Sequence, residues 1–107
     1  MDDSYREAMY HPGAATMAAA LATAASVGAT GMQFLKAVVI GYEVSTRIGV
    51  AMGRPHYRYW HNTGTIGAFG AASAAASLMK LNEVEFSNAL AIAATFTAGL
   101  QQAFKSE

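Results

Sequence analysis

Cysteine is absent from these 107 residues. That excludes a disulfide scaffold, a zinc ribbon and a thiol nucleophile. Charge is scarce. Only 13% of the side chains are charged, where an ordinary soluble domain carries about 25%. Seven basic and seven acidic residues cancel, so the basic stripe of a nucleic-acid binder is missing. Two prolines are too few for a collagen-like or proline-rich disordered chain.

The scarcity is uneven. No Asp, Glu, Lys or Arg occurs from Ala8 to Leu35, nor from Tyr59 to Met79. Runs of that length raise the question of a membrane span. They are built from Ala, Gly, Ser and Thr, hold His11 and His61, and are broken at Thr30-Gly31 and Asn62-Thr63-Gly64. A lipid-facing helix is normally richer in Leu, Ile and Phe. The acidic start Met1-Asp2-Asp3 does not match a leader peptide. The expectation is a cytoplasmic protein with no membrane or nucleic-acid partner.

What is present is helical punctuation. Pro12 suits a first helical turn, and a helix over Ala14–Ser26 can stop at Gly28. Thr30 and Gln33 have capping-box spacing. The helix they open runs to about Met52, with Phe34, Leu35, Val38, Val39, Tyr42 and Ile48 expected on its apolar side, and Gly53-Arg54-Pro55 ends it. A loop over His56–His61 follows. Asn62 or Thr63 is expected to cap a third helix reaching about Lys80. Asn82 and Glu85 form a second capping box, and a fourth helix runs to about Gln101 or a little beyond.

The chain repeats itself. A shift of about 51 lays Gly13 on Gly64 and Ala24-Ala25-Ser26 on Ala75-Ala76-Ser77. A shift of about 52 lays Thr30 and Gln33 on Asn82 and Glu85, and Phe34 on Phe86. The expected architecture is all-α. Two repeated antiparallel helical hairpins (about 12–52 and 63–104, joined by a loop over 53–62) form one bundle within a single segment, 1–107. Helices so poor in charge should be buried on most sides. Four of them cannot cover one another in so small a domain. Extra protein is therefore expected around them, either more chain or a second copy in a homo-oligomer. The glycines at 64, 67 and 70 weaken a helix by about 1 kcal/mol each. Close backbone packing is the expected compensation.

His11 and His61 each precede a helix start. Helix starts carry free N–H groups and partial positive charge, which suit carboxylates and keep a nearby imidazole neutral. Two such histidines with Arg54 and Arg58 would suit a small polycarboxylate, with histidine moving a proton beside a carboxylate. The plainer alternative is that both histidines are structural hydrogen-bonders. Tyr57-Arg58-Tyr59-Trp60 reads equally as an interface patch. The histidines lack metal-ligand spacing, so no metal site is expected.

Several motifs together resemble the MmgE/PrpD family of 2-methylcitrate dehydratase-like enzymes: Asp2-Asp3-Ser4, His11-Pro12-Gly13, Gly41-Tyr42-Glu43-Val44 with Arg47-Ile48, and His61-Asn62-Thr63-Gly64-Thr65-Ile66-Gly67. The resemblance covers essentially the whole chain. It implies part of a large helical domain and lyase or epimerase chemistry on small di- or tricarboxylates, without metal or other cofactor. It implies His11 and His61 as catalytic residues, with Asp3 and Ser4 lining the pocket. Arg58, Thr63 and Thr65 complete the expected substrate-binding set. Ser4 stands where the family usually has threonine. Lys36, Lys80 and Lys105 do not match the family's active-site lysine, which lies in a later segment. The expectation is a truncated lyase core with little or no activity alone. The alternative is a non-catalytic helical oligomerisation module derived from the same fold.

Overall fold

A computed structural model of the chain describes residues 2–105. Local signals set most of its helix ends. Pro12 opens α1, Pro12–Val27, and Gly28 closes it in the left-handed conformation at φ 66°. In α2, Gly31–Met52, the Thr30 hydroxyl accepts from the Gln33 amide and the Gln33 side chain accepts from the Thr30 amide. Asn82 and Glu85 repeat that arrangement at α5, Glu83–Phe96. Between the hairpins lie a one-turn helix α3, Arg54–Tyr57, and then α4, Asn62–Leu78. The result is an all-α bundle of two hairpins. Helix α4 is central and packs against α1, α2 and α5.

The helices meet through small residues. The buried line of α2 is Ala37, Gly41, Ser45 and Gly49, at four-residue spacing on one face. A methyl group at Gly41 would lie 2.5 Å from Thr16 Cγ2 and 2.8 Å from the Gly70 carbonyl. One at Gly70 would lie 2.5 Å from Thr16 Oγ1. Backbones of α1, α2 and α4 thus approach where side chains are missing, which at Gly70 is the compensation expected. One apolar cluster is Ala20, Ala37, Ala74 and Leu78; another is Ala8, Tyr10 and Ile66.

This packing corrects the expected apolar side of α2. Leu35 and Val39 are 56% and 66% exposed, because the small-residue line takes the inward face. The third helix also starts differently. His61 is its N-cap residue and makes no side-chain cap bond. The Asn62 amide reaches instead to the Ala8 carbonyl at 2.7 Å. Helix α4 stops at Leu78, and Lys80 takes φ 55°. Part of the expected loop after α2 is helical, as α3.

The last helix ends at Phe96, not near Gln101. The hydroxyls of Thr95 and Thr97 bond back to the carbonyls of Ile92 and Ala94, a local competition that weakens helix continuation. Thr97 is extended, and Gly99 takes φ 127°. The chain then pairs with the segment before α4. His61 N–H donates to Gly99 O, and Gln101 N–H to Tyr59 O, both at 2.8 Å. A short 3₁₀ turn, Gln101–Phe104, follows.

Candidate functional site

The segment before α1 folds back on itself and is stapled to two helices. Tyr5 and Tyr10 pair through their backbones, with rings edge to face at 6.4 Å. Met9 makes the turn at φ 53°. Tyr10 is buried, and its hydroxyl meets Ser45 Oγ at 2.8 Å. Burial pushes the Tyr10 phenol above its ordinary value, outweighing the Ser45 bond. Tyr10 therefore stays neutral and ties the segment to α2. The Asn62 bond to Ala8 O ties it to α4.

This stapling brings together the starts of α1 and α4. The His11 backbone N–H donates to Thr63 Oγ1 at 3.0 Å. The His11 ring faces back to the preceding turn, with Nδ1 against the Asp3 carbonyl and 3.3 Å from Ser4 Oγ. A carbonyl carries no proton, so Nδ1 must be the donor, which leaves the Nε2 lone pair free when the ring is neutral. His11 sits on the wall of an open cleft of about 430 Å³, together with Ser4, Tyr5, Arg6, Tyr10 and Tyr57.

The Asp3 carboxylate is held from both sides. One oxygen accepts from Gly13 N–H at 3.0 Å, and the other accepts from the Tyr42 hydroxyl. Gly13 leaves room for this clasp. A Cβ there would lie 2.8 Å from the Tyr42 oxygen and about 3 Å from both carboxylate oxygens. Burial, and then the Asp3 carboxylate, push the Tyr42 phenol up to about 12.

The other expected residues divide differently. The half-buried His61 packs its ring against Phe104, with centroids 4.7 Å apart. The Arg58 guanidinium lies over the Tyr59 ring at 5.4 Å. Arg58 lines a separate cleft of about 320 Å³ with Tyr59, Leu100, Gln101 and Lys105. Thr65 is buried, and its hydroxyl pairs with His56 Nε2 at 2.9 Å. The structure thus groups Asp3, Ser4, His11 and Thr63, and sets Arg58 and Thr65 apart from the His11 cleft. Sequence reasoning missed Tyr42, Tyr10 and Ser45 as parts of this network, and His56 as the partner of Thr65. The Gly41-Tyr42 motif was the available signal for the first. Among the described residues, no group of three or more His, Asp or Glu is placed to hold a metal. None of their helices is long and apolar enough to cross a membrane.

The family model for the MmgE/PrpD N-terminal domain matches residues 1–107. A cis-aconitate decarboxylase-like protein of Aspergillus oryzae is 33% identical over 96% of this chain. The aligned region is 23% of that protein's length, so the chain spans about a quarter of its curated relative. No solved structure matches.

Proposed function

Because the chain belongs to the MmgE/PrpD family, matching the model of its N-terminal domain, we propose that it is the helical core of a small-carboxylate lyase. The carrying observation is the His11 ring. Its Nδ1 is engaged by a backbone carbonyl, and it stands on a cleft wall at a helix start. Its free Nε2 accepts a proton from a carbon beside a substrate carboxylate. The electron pair left on that carbon then expels the group on the neighbouring carbon or is reprotonated. The Ser4 hydroxyl, 3.3 Å from the His11 ring, is placed to donate to the substrate carboxylate, because the α1 start already holds Asp3 through the Gly13 N–H. His61 at the α4 start is the second proton-transfer residue. The substrate is a di- or tricarboxylate, as the relative's description as cis-aconitate decarboxylase-like supports. Arg58, Thr63 and Thr65 belong to the proposed binding set. Arg58 and Thr65 reach substrate only after rearrangement or with further protein, because one lines another cleft and the other is buried. The chain alone therefore has little or no turnover. A cytoplasmic location goes with this reading.

Titration of the chain with citrate, methylcitrate and cis-aconitate, paired with turnover assays, tests the proposal. The expected result is weak binding that His11→Ala abolishes, with negligible turnover. Robust turnover sensitive to His61→Ala would overturn the inactivity of the chain alone, and binding indifferent to His11→Ala would overturn the site.

A second reading is favoured by the surface. Met32, Leu35 and Val39 on α2, and Val84, Ile92 and Phe96 on α5, are all exposed. Exposed apolar side chains grouped on a helix mark a covered surface. On this reading the chain is a helical assembly module that forms a homo-oligomer. Sedimentation at micromolar concentration decides it, and a stable monomer sinks it.

A further inference from the structure

We propose that Tyr42 is a positioning residue for His11: its hydroxyl clasps the Asp3 carboxylate, and the Asp3 carbonyl so held fixes the His11 proton on Nδ1. The inference deepens the proposed function and rests on His11 acting through Nε2.

Three observations converge on it. The first is the connectivity. Tyr42, on α2, donates to one oxygen of Asp3, the Gly13 amide donates to the other, and the carbonyl of the same Asp3 meets His11 Nδ1. One residue therefore carries both the clasp and the group that sets the tautomer. The second is exposure. Asp2, Asp3 and Ser4 are exposed, and the Tyr5–Tyr10 pairing anchors the turn only from residue 5 onward. The carboxylate clasp holds the carbonyl of Asp3 in place. The third is Gly13. The space its missing side chain leaves is where the Tyr42 oxygen and the Asp3 carboxylate meet.

The chemistry of each group fits its part. A carboxylate accepts from both sides and donates to neither. Tyr42 keeps its proton through the neutral range, since burial and the neighbouring carboxylate both disfavour the phenolate. Glu43, next in the chain, is paired with Arg47 along the helix and faces elsewhere. The hydrogen bond that one imidazole nitrogen makes decides which nitrogen is free to act. A base needs its lone pair directed at the substrate. The clasp supplies that orientation from 39 residues away.

The test is a long-range proton–nitrogen NMR spectrum of the ¹⁵N-labelled chain at pH 8, where neutral imidazoles report their tautomers. In the wild type, His11 is expected to be mainly the Nδ1–H form. Tyr42→Phe keeps the ring and removes one hydroxyl, and it should make Nδ1–H the minor form. Gly13→Ala should do the same by displacing the carboxylate. His56 and His61 should keep their signals in both variants, which a general loosening of the fold would not allow. An Nε2–H form in the wild type, or an unchanged Nδ1–H form in Tyr42→Phe, would overturn the proposal. Loss of the helical circular dichroism in both variants would also overturn it, because a clasp over an exposed turn does not hold four helices together. If the tautomer responds but His11→Ala leaves carboxylate binding untouched, the relay stands and the proposed function fails.

Discussion

The backbone amide of His11 donates to the hydroxyl of Thr63, 52 residues along the chain, at 3.0 Å. The bond joins the start of α1 to the first turn of α4, so one hairpin is registered on the other at their histidine-bearing ends. Thr63→Ala leaves a half-buried N–H without its acceptor. Such losses cost about 1–3 kcal/mol when water cannot replace the partner. Partial exposure places this one near about 1 kcal/mol. Thr63→Ser should retain most of the stability. Urea unfolding of the three proteins checks the order, and equal midpoints would contradict it.

Two glycine-to-alanine changes should move stability in opposite directions. At Gly70 the new methyl would stand 2.5 Å from Thr16 Oγ1 and about 3 Å from Ser45. Both neighbours are fully buried, so the helices must separate. Overpacking of this kind costs about 1–3 kcal/mol. At Gly31, in the first turn of α2, an added methyl would have no packing neighbour within 4 Å among the described residues. Gly31→Ala should stabilise by about 0.4–1 kcal/mol through the unfolded chain. Thermal unfolding of both variants reads the contrast.

These glycines also mark where sequence reading worked and where it stopped. The capping boxes Thr30–Gln33 and Asn82–Glu85 were legible because both partners lie three residues apart. The close packing at Gly70 was legible because only tertiary contact compensates repeated glycines in a helix. The inward face of α2 was not. Large side chains such as Leu35 and Val39 outweigh Ala37, Gly41, Ser45 and Gly49 in any count of hydrophobicity. Close backbone approach nevertheless favours the smaller set. The end of α5 depends on pairing between residues 59–61 and 99–101, which leaves no local mark. In the site, His11 announced itself by standing before Pro12-Gly13. Tyr42 showed only as part of the Gly41-Tyr42 motif, and its role in the clasp was not legible because its partner Asp3 is 39 residues distant.

Ser73, in the middle of α4, is fully buried, and its hydroxyl has no hydrogen-bond partner among the described residues. An unsatisfied buried hydroxyl costs about 1–3 kcal/mol. Alanine removes that cost, creates only a small void and is a better helix former. Ser73→Ala is therefore expected to raise stability by about 1 kcal/mol, measured as a later urea midpoint with an unchanged slope. A destabilised variant would mean that the hydroxyl has a bonding role.

The burial of His56, whose ring is paired with Thr65, makes stability depend on pH. Burial lowers the His56 imidazole below its ordinary value of 6.5, since removal from water disfavours the charged form. The folded chain then binds fewer protons at this site than the unfolded one. Its contribution is fully present above about pH 6.5 and is lost as pH falls through the lower folded value. His56→Gln keeps a group able to bond Thr65 Oγ1 but cannot titrate. Unfolding free energies of the wild type and His56→Gln, measured from pH 7.5 down to pH 5, should converge or cross as the wild type weakens. Parallel curves would show that His56 titrates alike in the folded and unfolded chains.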